Sequence, residues 1–110
     1  MKKSWKPPSS VRNAAKRGLK LRKEAPKSKK GGTAVGVARA RDLANGKEIP
    51  ISTIKRMVSF FARHEGNQKG DDKYDRGAIA WDLWGGTPGK AWANRILKKY
   101  NKENKKGDNK

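Results

Sequence analysis

His64 stands just upstream of Asp71, Asp72 and Asp75, and an imidazole beside three carboxylates is a set that can hold Mg2+ for phosphodiester hydrolysis. The segment that carries the acids, GNQKGDDKYDRG, argues against that use. It is polar and rich in glycine, so these acids are expected to stay solvated, with Asp75 capping the helix that follows. A single imidazole in a chain without cysteine is also a poor transition-metal set. No Ser/His/Asp arrangement is indicated. Neither Gly31–Thr33 nor Gly85–Thr87 runs on into the GK[ST] of a phosphate-binding loop, although the helix start at Thr87–Gly89 could hold a phosphate on its backbone N–H groups. The reading is no enzyme, no metal and no cofactor, with a Mg-dependent nuclease as the third alternative.

Cations are the reactive groups present in number. The chain of 110 residues carries 29 Lys and Arg against 10 Asp and Glu, a net charge of +19. The charge is uneven. Residues 1–30 hold twelve cations against Glu24 alone, residues 65–89 hold three against five acids, and residues 90–110 hold eight against two. Basic clusters of this kind bind phosphate backbones by releasing counterions, without needing sequence preference. An anionic membrane is the competing partner. A membrane-surface helix needs bulky apolar residues opposite its lysines, and the first helical segment offers only Val11, Leu19 and Leu21. No apolar run approaches the roughly 18 residues of a membrane span. Nucleic acid is therefore the expected partner, DNA rather than RNA, with no membrane.

Trp81, Trp84 and Trp92 fall within WDLWGGTPGKAW, around a Gly-Gly turn. Stacking on bases is worth about 1–3 kcal/mol per ring. Burying one indole removes on the order of 150–250 Å² from water, about 4–6 kcal/mol. The apolar fraction is only 33 %, so few other residues can close a core. These three rings are expected inside. Trp5, alone among basic residues, is the better candidate for stacking, and it could equally pack back onto the domain.

The elements that must position these groups are read as helices, in an all-α fold of four or five helices forming a compact domain. Residues 1–8 are expected as a basic flexible arm, 9–100 as the domain and 101–110 as a basic disordered tail. A basic linker is placed at about 26–32 and a mobile loop at about 66–74. Pro7-Pro8 followed by Ser9-Ser10 signals a first helix, capped by a serine and ended by Pro26. Its Lys16, Arg17, Lys20, Arg22 and Lys23, with Lys29 and Lys30 of the linker, are candidate phosphate contacts. Like charges three and four residues apart repel on a helix, and a phosphate backbone would relieve this. Thr33 can cap a second helix, AVGVARARDLAN, which contributes Arg39 and Arg41 and stops at Asn45-Gly46. Ser52 can cap a third, residues 52–65, in which Ile54, Met57, Val58 and Phe61 recur at helical spacing. After the short helix AIAWDLW, Thr87 as cap and Pro88 begin the last helix, with Trp92, Ile96, Leu97 and Tyr100 on one face and Lys90, Arg95, Lys98 and Lys99 on others.

The second and third helices have a helix-turn-helix-like order. In that arrangement Ser52, Thr53, Lys55, Arg56 and Ser59 would point outward toward a major groove, with Arg63 on the phosphates. The connector from Gly46 to Ile54 is about two residues longer than the compact form of the motif allows. The competing reading is an ordinary helical hairpin with a solvated basic face.

The strings GGTAVGVARARDLANGKEIPISTIKRMVSFFARHE and GAIAWDLWGGTPGKAWANRI resemble a small basic module found in genomes of tailed phages and other large DNA viruses, often near head and maturation-protease genes. The resemblance covers roughly residues 9–96. It implies a viral origin, hence the virion or the host cytoplasm. It carries no assigned activity and no catalytic residue. The expectation is a phage nucleic-acid-binding protein that acts mainly through phosphate contacts. The alternative is a non-enzymatic structural protein of the phage head that meets an acidic protein partner.

Overall fold

Proline opens two of the helices. In the computed structural model, which describes residues 3–25, 34–65 and 76–108, Pro8 (φ −70°, ψ 165°) and Pro50 (φ −73°, ψ 161°) are the N-caps of α1 (Ser9–Glu24) and α3 (Ile51–Arg63). Neither helix has a side-chain cap. The expected caps Ser9 or Ser10 and Ser52 lie one or two residues inside. The reason is that extended chain continues through each proline, and at α1 the Pro8 carbonyl accepts the first helical bonds. Val11 and Arg12 both donate to Pro8 O.

The extended segments before the two prolines pair with each other. β1 (Ser4–Trp5) and β2 (Ile49–Pro50) are antiparallel, with Ser4 opposite Pro50 and Trp5 opposite Ile49. Ile51 N–H donates to Lys3 O at 3.0 Å, and Ser4 Oγ donates to Glu48 at 2.7 Å. So residues 3–5, part of the 1–8 segment expected as a basic flexible arm, are paired with the chain that leads into α3. A ladder two residues long leaves no alternating pattern to read in a sequence.

α2 (Ala34–Ala44) ends as its sequence suggests. Gly46, at φ 71°, donates to Leu43 O, and Lys47 donates to Asp42 O, the paired bonds of a left-handed glycine stop. α4 (Arg76–Leu83) and α5 (Gly86–Asp108) are joined by a turn with Gly85 at φ 109° and Gly86 at φ 67°, angles that side-chain-bearing residues rarely adopt. Thr87 is inside the first turn of α5 rather than its cap. Its hydroxyl accepts a hydrogen bond from Trp81 Nε1 at 3.2 Å. α5 also runs on through Asp108, where a disordered tail was expected from residue 101. The proposed caps Thr33 and Asp75, the linker about 26–32 and the loop about 66–74 lie outside the described residues, as do Asp71 and Asp72.

α1 is the hub of this all-α domain, packing on α4, α2 and α5, while α3 packs chiefly on α5. The helices read as a helix-turn-helix-like pair follow one another across β2, but α2 takes α1 and α4 as its main partners and α3 takes α5. The core gathers Val11, Leu43, Ile54, Met57, Phe61, Ile79 and Leu83 around the three indoles. Trp81, Trp84 and Trp92 are 3 %, 8 % and 5 % exposed, which places them inside as their burial energy requires. Phe60 stacks on Trp84 with centroids 4.9 Å apart, and Phe61 meets Trp81 edge-on at 4.8 Å.

Candidate nucleic-acid interface

Helical spacing sorts α1 into two sides. Val11, Ala14, Ala15 and Gly18 are buried. Asn13, Lys16, Lys20 and Lys23 are exposed and recur every three or four residues, so they form one stripe. Glu24 is the single acid of the helix and stands at its end.

A second basic face comes from α3 and α5. Two contacts fix them as antiparallel: Lys55 near the start of α3 lies over the Tyr100 ring, Nζ 5.9 Å from the centroid, and Glu65 just past its end pairs with Lys90 near the start of α5. Ser52, Lys55, Arg56, Ser59 and Arg63 are exposed along α3, and Asn94, Arg95, Lys98 and Lys99 along α5. Neither Ile51–Arg63 nor residues 86–102 contain an acid.

The acids elsewhere are largely occupied. Asp82 accepts both Arg17 Nε and Arg17 Nη2 at 3.0 Å. This hydrogen-bonded pairing, and the carboxylate's charge, raise the Arg17 pKa above its already high ordinary value. Glu65 is held below the ordinary glutamate range, first by its hydrogen bond from Lys90 and then by that ammonium's charge. Asp42 pairs with Lys47 at 3.6 Å, and Glu48 accepts Ser4 Oγ. Arg17, Lys47 and Lys90 are thus paired with carboxylates.

Several expected contacts need correction. Thr53 is 7 % exposed and cannot reach a groove. The buried side of α3 is Thr53, Ile54, Met57, Phe60 and Phe61, with Val58 only half-buried, because the packing against α5 turns the helix slightly from the side read in its sequence. Arg17 and Lys90 are committed to carboxylates. Arg39 and Arg22 are half-buried, and Arg39 Nε is buried without a hydrogen-bond partner. Lys29 and Lys30 lie outside the described residues, and Arg41 is exposed on α2. The helix start at Thr87–Gly89 already faces an acid: Asp82 Oδ1 would lie 3.3 Å from a Cβ on Gly86, so a phosphate there would meet a carboxylate. The neighbouring cavity of 280 Å³ is lined by that same carboxylate, by Arg17 and by Thr87.

The structure also brings together residues that sequence spacing keeps apart. Trp5 meets Tyr100 edge-on, centroids 6.1 Å apart at 83°. His64 lies against Phe60, ring centroids 4.6 Å apart, and among the described residues no group of three or more His, Asp or Glu is placed to hold a metal ion. Among the described residues, too, no helix is long and apolar enough to cross a membrane. No family model, curated protein or solved structure matches the chain.

Proposed function

We propose that this is a non-enzymatic, phage-encoded nucleic-acid-binding protein, working in the virion or the host cytoplasm, that grips phosphates with the α1 stripe and the α3–α5 face. The observation that carries the reading is a pair of antiparallel helical stretches, Ile51–Arg63 of α3 and residues 86–102 of α5, that contain no acid and expose Lys55, Arg56, Arg63, Arg95, Lys98 and Lys99. Such a face repels itself in water and gains by exchanging small counterions for a phosphate chain. DNA is the proposed partner. The B-form major groove admits a helix, so Ser52, Lys55, Arg56 and Ser59 could enter it, whereas the deep, narrow major groove of A-form RNA excludes one.

The test is binding to duplex DNA across a range of salt. The affinity should fall steeply, with a log–log slope of several units, about 0.9 for each phosphate neutralised. A slope near zero would remove the phosphate mechanism. The rival, a head protein bound to an acidic partner, predicts that a protein partner stays attached after nuclease treatment of the captured complex.

A further inference from the structure

Trp81, Trp84 and Trp92 are shut inside the core, while Trp5 is half-buried. Yet Trp5 is not loose. It is paired in the ladder opposite Ile49, and the backbone bond from Ile51 to Lys3 and the hydrogen bond from Ser4 to Glu48 join the same two segments. Its ring abuts the half-buried Tyr100, and the Lys55 ammonium sits 5.9 Å from the centre of the Tyr100 ring. Lys3, Lys6 and Lys99 are exposed and neighbour these residues in the chain. Two acids are close in sequence or contact: Glu48, engaged by Ser4, and Glu103, three residues beyond Tyr100.

A half-buried indole held by backbone pairing, beside a second ring that carries the Lys55 ammonium and with Lys6 next to it in the chain, supplies the two things an unpaired nucleobase needs. One is a π surface on which to stack. The other is positive charge for the phosphate next to it. Bases inside a duplex are already stacked on each other and cannot use the π surface. We propose that Trp5 and Tyr100 form a stacking site for unpaired bases, with Lys55 and Lys6 taking the flanking phosphates. The proposal rests on the nucleic-acid reading above and adds to it a preference for single strands or overhangs at this end of the α3–α5 pair.

The experiment compares a thymidine oligomer of about 20 nucleotides with a blunt duplex of the same length, for the wild type, Trp5→Leu and Trp5→Tyr. Trp5→Leu should lose roughly 5- to 100-fold in affinity for the single strand and little for the duplex, and Trp5→Tyr should restore most of the loss. Wild-type tryptophan emission should be quenched by the oligomer, and this quench should be absent in Trp5→Tyr. Equal losses on both nucleic acids, or an oligomer that binds without quenching, would overturn the stacking site. If Trp5→Leu does not fold, the wild-type quench, present with oligomer and absent with duplex, decides alone. Loss of the stacking preference with a steep duplex salt slope retained leaves the phosphate reading standing. Failure to bind either nucleic acid removes both.

Discussion

Gly18 of α1 and Leu83 of α4 meet backbone to backbone. A Cβ at Gly18 would lie 2.7 Å from the Leu83 nitrogen and 2.9 Å from the Asp82 carbonyl carbon, distances that real side chains do not tolerate. Glycine inside a helix costs about 1 kcal/mol relative to alanine, and here that cost permits a close backbone approach of α1 and α4. Gly18→Ala should therefore destabilise the protein by about 1–3 kcal/mol in urea titration, despite its better helix propensity. A variant as stable as the wild type would mean that α1 and α4 are further apart.

The Trp81–Thr87 bond gives a second prediction. Trp81 is 3 % exposed, and its indole N–H donates to Thr87 Oγ1. Thr87→Val keeps the shape and removes the acceptor, leaving a nearly buried donor unsatisfied. The expected loss is about 1–3 kcal/mol. Thr87→Ser, which retains the acceptor oxygen, should cost less, and identical effects of the two substitutions would argue that the hydroxyl does not matter.

Arg17 and Lys20 separate structural from binding cations. Arg17 is held by Asp82, whose side chain is only 14 % exposed, whereas Lys20 is exposed on the α1 stripe. Lys20→Ala should reduce the salt slope of duplex binding by about 1 and leave the thermal midpoint nearly unchanged. Arg17→Ala should leave the slope nearly intact and lower stability by about 1 kcal/mol, since it strands a largely enclosed carboxylate. The opposite pattern would mean that Arg17 leaves Asp82 when nucleic acid binds.

What could be read in the sequence follows from which forces were local or large. The burial of Trp81, Trp84 and Trp92 was legible because an indole's apolar area outweighs its other uses in so lean a chain. The Gly46 stop and the Gly85-Gly86 turn were legible because only special backbone angles favour glycine so strongly. The side of α3 was read almost correctly, since Ile54, Met57 and Phe61 fix most of it. Choosing between Val58 and Phe60 for its edge required knowing where α5 lies. The Ser4–Trp5 ladder gave no signal, because two residues have no period. Arg17 and Asp82, 65 residues apart, and Trp5 and Tyr100, further still, are brought together only by tertiary packing.

The Glu65–Lys90 pair makes a pH prediction that bears on the proposed interface. Lys90 lowers the Glu65 pKa, first through its hydrogen bond and then through its charge. A depressed carboxylate contributes its stabilisation above the ordinary glutamate pKa of about 4.3 and loses it as the pH falls through the lower, folded-state value. Glu65 is exposed, so salt should weaken the effect. In an NMR titration the Glu65 carboxyl midpoint should fall below the ordinary value in the wild type and return to it in Lys90→Ala. High salt should move the wild-type midpoint part of the way. Because Lys90 is occupied at neutral pH, Lys90→Ala should also leave the nucleic-acid salt slope nearly unchanged there, whereas Lys98→Ala should reduce it by about 1. An unshifted Glu65 midpoint, together with a slope lowered equally by both substitutions, would place Lys90 on the phosphates instead.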